Sequence, residues 1–471
     1  MVPMLKYRWL LMAGVILPIF FALVAQSSLL AADAKPGTAG LREPVTFSKH
    51  VAPILQGKCQ ECHQPNSIAP MSLINFKEVR PWARSMKERV VKRQMPPWHI
   101  DQSVGVQKFK NDMSLSDDQV DTIVRWVDGG ALEGDKKDLP DPKPLVRDNE
   151  WVGVRDGFGP PDLVVRSPEY TMPARHQDVW YRPMSDIAIT EPRWAKMVEI
   201  RPTSLKARRV LHHSIAYLVL NNDPEALNTG TSNWRRYEEN QPDLVNRRPQ
   251  LMEWAIGKGY DLYRTGTGKL IVPGEKISWD QHLHAAGEEI VTGSEIGIWF
   301  YKKGEEPKKR SYLVGFTGIR DGKQSLDIPP NSFAQTEGFT ALKENTLIEN
   351  FQPHFHFRGK SMQVEAILPD GTAHVLSYVG NFNFNWMTNY IYDDDAAPLL
   401  PKGTIIHVSA WYDNTKENKN NPDPDQWVGY GDRTVDEMAH AWMNVVYLSD
   451  QEYQQMLADR KKKVAKAEPK H

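Results

Sequence analysis

The ligand chemistry available to this 471-residue chain is unevenly distributed. Its two cysteines, Cys59 and Cys62, share the short run GKCQECHQPN, and His63 follows the second. Cys-x-x-Cys-His is the spacing that attaches a c-type haem: each thiol adds to a vinyl group, and the adjacent imidazole is set against the iron. A thioredoxin-like redox pair needs a βαβ setting, and a zinc knuckle needs a second ligand pair nearby. The flanking sequence offers neither. No cysteine remains for a disulfide, so the pair reads as the tether of one covalent haem c. The sixth iron ligand is expected at Met95 in RQMPPWH, where prolines stiffen a loop that would hold a thioether. His99 is the rival, and a packing role for Met95 is the plain alternative.

Six of the 14 histidines fall into three groups. His212 and His213 are adjacent at the head of an apolar run. His282 and His284 are two apart in DQHLHA, as are His354 and His356 in QPHFHF. On a strand, residues i and i+2 share a face, so a His-x-His pair can offer two imidazoles to one metal. A single strand histidine is ordinarily a hydrogen-bonded core or surface residue. Three groups in one β-rich region point to metal instead. Imidazole suits copper, zinc, iron or nickel, and an added methionine thioether favours copper.

The elements that must position these residues change character along the chain. The stretch VTFSKHVAPILQGKCQECH predicts a short helix leading into the haem motif. FKEVRPWARSMKERVVKRQ has helical spacing at Val79, Trp82, Met86 and Val90. LSDDQVDTIVRWVDGGA opens with a capping box, Ser116 to Gln119, and carries an apolar face of Val120, Ile123, Val124 and Val127. After the Pro- and charge-rich DLPDPKPLVRD the helical pattern stops. Short β-branched and aromatic runs follow, separated by Pro, Gly, Asn and Asp, with no fixed-period repeat. These predict antiparallel sandwiches or jelly rolls.

Charge and composition exclude some classes. Formal net charge is -1, so no global field points to nucleic acid. Lys6 and Arg8 precede an apolar run from Trp9 to about Ala25, and the small residues Ala32 and Ala34 follow. This reads as an export signal, with an uncleaved anchor as the alternative. The expected location is the periplasm or cell envelope, with membrane contact only if the segment is retained.

VLHHSIAYLVL, DQHLHAAG, PHFHFRGKSM and DEMAHAWMNVVYL together resemble the motifs of the copper type II, ascorbate-dependent monooxygenases, the family of peptidylglycine α-hydroxylating and dopamine β-monooxygenases. The resemblance covers about residues 160–450, and residues 42–135 resemble a small monohaem cytochrome c domain. It implies two jelly-roll domains, each holding one copper, facing across a solvent cleft. His212 and His213 match the ligands of the electron-supplying copper, with His282 or His284 as the third. His354 and His356 match the pair at the oxygen-binding copper, and Met438 its thioether ligand, with Met443 the weaker choice. His440 is expected to be structural. Gln352 stands where peptide-processing members carry a substrate-gripping Arg, and Trp442 where they carry a substrate-contacting Tyr, so a glycine-extended peptide is not the expected substrate.

The expected architecture is therefore multidomain: a signal or anchor over 1–34, a small all-α cytochrome c domain over 42–137, and a linker over 138–159. Two all-β jelly-roll (β-sandwich) domains follow over 160–310 and 311–450, with a charged, disordered tail over 451–471. The expected activity is hydroxylation of a C–H bond with O2 on an unidentified small organic substrate. Two coppers and one haem c serve it, and an external donor supplies electrons through the haem. The alternatives are a non-catalytic haem–copper electron carrier or copper store, and a zinc-binding β module.

Overall fold

The structure is a computed structural model that describes residues 43–65, 69–143, 150–220, 250–255, 257–320 and 325–467. The expected signal segment lies outside the described residues. No helix among the described residues is long and apolar enough to cross a membrane.

Among the described residues the α-helices lie before residue 130 and after residue 449. The segment Phe47–Val51 continues into the helix Ala52–Lys58, which stops at Cys59. The helix Asp117–Asp128 begins with the capping box its sequence predicts: the Gln119 N–H donates to Ser116 Oγ (3.2 Å), and the Ser116 N–H donates to the Gln119 side chain (3.0 Å). Its buried residues are Ile123 and Trp126, so the face is rotated from the one read along the sequence. Trp126 wins because its indole also donates to the Leu132 carbonyl (2.9 Å), closing the turn after the helix. Trp82, expected on an apolar stripe, is exposed, because the short turn Arg80–Trp82 breaks the helical phase before Ala83–Val91.

From residue 163 onward the chain is mostly β-sheet. The strand Leu211–Leu220 lies between Glu275–Leu283 and Gln250–Ala255, all antiparallel. A second sheet orders Phe333–Ala341, Ile405–Asp413, Gly359–Ile367 and Ala373–Val379. The largest sheet runs through both β regions. In it Arg193–Pro202 pairs with Thr267–Ile271, which runs parallel to Lys309–Thr317, and that strand pairs with His440–Leu448. The break expected near residue 310 therefore falls where the two regions join through a shared sheet, and Val45–His471 form one compact unit.

Buried side chains stitch this join. Glu349 is 4 % exposed, and its carboxylate accepts from the Thr267 hydroxyl (2.5 Å), the Arg264 N–H (3.0 Å) and the Ser311 hydroxyl. Burial raises its pKa from the ordinary carboxylate value. Gly268 has no alternative, since a Cβ there would sit 2.5 Å from the Ala195 carbonyl.

The tail departs from expectation. Asp450–Ala467 is a helix rather than disordered chain. Ser449 and Glu452 cap its start reciprocally (3.3 and 2.9 Å), and Arg460 and Lys463 anchor it to the Ala397 carbonyl (2.7 Å) and Asp395 (2.6 Å). Charge alone does not disorder a segment whose Lys, Glu, Gln and Ala are good helix formers and whose ends find partners.

Glu349→Ala should cost roughly 2–4 kcal/mol, because three donors lose one buried acceptor. Urea denaturation measures this, and an unchanged midpoint would contradict the stitching role.

Candidate metal centre

Adjacent strand residues normally face opposite ways, yet the Nδ1 atoms of His212 and His213 lie 3.1 Å apart. The register explains this. Against Glu275–Leu283, His213 pairs with His282 and Leu211 pairs with Leu283, so His212 is the extra residue of a β-bulge. A bulge sets two residues against one and re-aims a side chain. His282, directly opposite His213, completes the set: the three residues offer ring nitrogens within 4.8 Å of one another. His284 lies past the strand end, half-buried, with its ring 6.5 Å from that of His212. Of the two candidates, the structure brings His282 into the cluster.

His282 is oriented from behind. Its Nε2–H donates to Asp178 Oδ2 (2.9 Å), and Trp180, its cross-strand partner, stacks on the ring at 4.7 Å and 9°. That bond holds the Asp178 carboxyl below its usual pKa and leaves His282 Nδ1 buried without a partner. His212 is stacked on the other side by Phe384 at 4.9 Å and 16°.

The second histidine pair sits on and just past the strand Asn350–His354. His354 faces His440 across the strand pair, with rings 6.4 Å apart. His356 is gripped by the loop before His440–Leu448. Its Nδ1–H donates to the Asp436 carbonyl (3.1 Å), and its backbone N–H donates to Glu437 Oε2 (2.9 Å). Its Nε2 is buried and unpartnered, as is His354 Nδ1. Met438 follows Glu437, half-buried, with its N–H on the same carboxylate (3.2 Å) and its carbonyl accepting the Tyr412 hydroxyl (3.1 Å). The chain thus brings Met438 into the loop that holds His356. Met443 does not qualify: the pleat turns it to the opposite face from His440, fully buried in the hydrophobic core.

The two sets close on one another. The ring of His212 lies 6.0 Å from that of His356, and His213 lies 6.2 Å from His354. All five histidines are at most 9 % exposed. The solvent cleft implied by the family resemblance is replaced here by a single buried cluster. Burial, reinforced by neighbouring imidazoles, pushes His212, His213 and His354 well below the usual histidine range, and burial brings His356 down to about 4. These are neutral rings with lone pairs to give, the form in which histidine binds a metal. Three orphaned buried nitrogens fit a soft-to-borderline cation.

In the haem motif, Cys59 caps the helix Ala52–Lys58, and the N–H groups of Cys62 and His63 both donate to its carbonyl (3.2 and 3.0 Å). Both cysteines are free, and burial pushes their thiols up to about 12 and about 11. His63 Nδ1–H donates to the Met71 carbonyl (3.1 Å), which leaves Nε2 for an axial bond. These donors fit a covalent haem. A cavity of about 360 Å³ opens beside Cys62, bordered by Met113, Arg155, Trp254 and Trp386. Met95 and His99 border a different cavity, of about 380 Å³. The structure therefore does not bring Met95 to the space beside Cys62; Met113 is the methionine found there.

Sequence reading missed Asp178, Trp180, Phe384 and Glu437. Only Glu437 left a signal, as an acidic residue inside DEM beside the expected thioether.

No protein-family model matches the chain, and no curated protein matches it in sequence. Solved structures of similar shape are remote. N-glycanase F is 8 % identical over 60 % of this chain and 94 % of that one, with a TM-score of 0.27. The Broad Bean Stain Virus structure gives 8 %, 60 %, 88 % and 0.25. The major capsid protein P2 of bacteriophage PM2 gives 7 %, 62 %, 99 % and 0.23. Scores this low carry no inference about this chain.

Asp178→Ala should weaken metal binding at His212, His213 and His282 by roughly 10–100-fold, as loss of a carboxylate behind a ligating histidine does elsewhere. Competition titration with a Cu(I) chelator reads this, and unchanged affinity would contradict the orienting role. The depressed histidine pKa values set a pH window. The neutral ligand form persists as pH falls below 6.5 and is lost only as it falls through the folded values, about 4 for His356. Metal should thus survive dialysis at about pH 5.5 and leave near pH 4, followed by elemental analysis. Release already complete near pH 6 would contradict this.

Proposed function

We propose that this chain is an exported haem–copper oxidoreductase, a copper-dependent monooxygenase of the type its histidine motifs resemble. It would hydroxylate a C–H bond of a small organic substrate. The observation that carries the reading is the convergence of five buried imidazoles, three with unpartnered nitrogens, from two β regions far apart in sequence. On this reading one copper is held by His212, His213 and His282, and the other by His354, His356 and Met438. When bound, copper supplies reductive activation of O2, and a haem on Cys59 and Cys62 with His63 as axial ligand supplies single electrons. Asp178 and the Asp436 carbonyl fix which nitrogen of His282 and His356 faces inward. Glu437 holds the His356 and Met438 backbones together, and the surrounding β core excludes water from the cluster. The thioether of Met438 is the ligand that favours copper over zinc.

One observation favours a second reading. The two histidine sets are in ring contact and at most 9 % exposed, which suits a copper store or electron carrier that admits no substrate.

Protein matured with haem and supplied with copper should contain one c-type haem and two coppers per chain by absorption and elemental analysis. With a reductant and candidate substrates it should take up O2, and His356→Ala should abolish that uptake. Two coppers without O2 uptake would select the carrier; zinc in their place would end both.

A further inference from the structure

The loop between the strands Ala373–Val379 and Tyr390–Ile391 touches both redox regions. Phe384 stacks on His212 at 4.9 Å and 16°. Two residues on, Trp386 borders the cavity beside Cys62. The loop is held firmly. The Phe382 N–H donates to the Lys360 carbonyl (2.8 Å), the Trp386 N–H to the Asn383 carbonyl (2.8 Å), and the Asn385 N–H to Asn383 Oδ1 (3.0 Å). Phe384 is wedged against Phe357 at 4.6 Å. Gly257, just past the strand that pairs with His213, has a φ of +97°, and a Cβ there would sit 2.8 Å from Trp386 Cα. Only glycine lets the loop seat so closely.

We propose that Trp386 and Phe384 form the electron bridge between the haem edge at Cys62 and the copper held by His212. The inference rests on the haem–copper reading above. Cys62, where a haem thioether would form, and Trp386 border the same cavity. From there the path runs through the Trp386 indole, the backbone across the one intervening residue, Asn385, and the Phe384 ring, to the stacked imidazole of His212. The step is one electron: ferrous haem is oxidised to ferric, Cu(II) is reduced to Cu(I), and no bond or proton is exchanged. Trp254 also borders the cavity and pairs with Ser214, beside His213. Its indole is committed to the Lys258 carbonyl (3.0 Å), and the onward path crosses between strands. The Phe384 ring, by contrast, stacks on His212 itself.

The test uses the full chain, matured with haem, loaded with copper and oxidised. The haem is pulse-reduced without O2 or substrate, so turnover plays no part. Its reoxidation is followed by absorbance, and the loss of Cu(II) by freeze-quench EPR. Trp386→Leu should slow internal transfer on the order of tenfold or more, with the haem spectrum and Cu(II) EPR signal unchanged. Trp386→Phe, which keeps an aromatic ring, should restore most of the rate. Trp386 is only half-buried, so neither change opens the core. An unchanged rate in Trp386→Leu overturns the bridge while leaving the haem–copper relay standing. Absence of transfer in the wild-type protein overturns the relay itself, and the bridge with it.

Discussion

The cluster is governed by one constraint: buried imidazole nitrogens that no protein group satisfies. His282 Nδ1, His354 Nδ1 and His356 Nε2 are buried and unbonded, and the opposite nitrogens of His282 and His356 are already committed to Asp178 and the Asp436 carbonyl. Each such orphan costs about 1–3 kcal/mol relative to a satisfied group. For His354 and His356 protonation offers no relief, because burial and the neighbouring rings oppose a charge there. A cation that accepts several lone pairs at once removes the whole penalty, and the fold is arranged so that little else can.

That arrangement depends on the join between the two β regions. The parallel pairing of Thr267–Ile271 with Lys309–Thr317 makes one sheet of strands from both, and Glu349 ties the crossing from the inside. With the regions fixed, the bulge at His212 turns two neighbouring rings the same way, and the loop carrying Asp436, Glu437 and Met438 closes over His356. Asp178 also takes the Thr434 backbone N–H, so one carboxylate from the first region touches both His282 and that loop. The centre is thus assembled at a boundary, where a small relative shift of the two regions would open it.

Much of this was legible in the residues. Adjacent and alternate histidines could be grouped because strand periodicity puts i and i+2 on one face, and five of the six do come together in the fold. The mostly β architecture followed from short β-branched runs punctuated by turn residues. What could not be read was relational. Asp178 lies 104 residues from His282 and meets it only through sheet register. The bulge that lets His212 and His213 act together is a property of two strands, not one. Met95 looked favourable in its own loop, but the fold sets that loop against a different cavity from Cys62. The tail is rich in charge, which alone suggests disorder, but its capped start and its contacts with Asp395 and Ala397 make it a helix.

The account stands or falls on what occupies the five imidazoles. X-ray absorption at the copper edge of the reduced, haem-matured protein addresses this directly. It should show imidazole scattering at both coppers and one sulfur shell corresponding to a single thioether for every two metal ions, and that shell should vanish in Met438→Ala. Two coppers with no sulfur neighbour, or a protein that retains no copper at all, would contradict it.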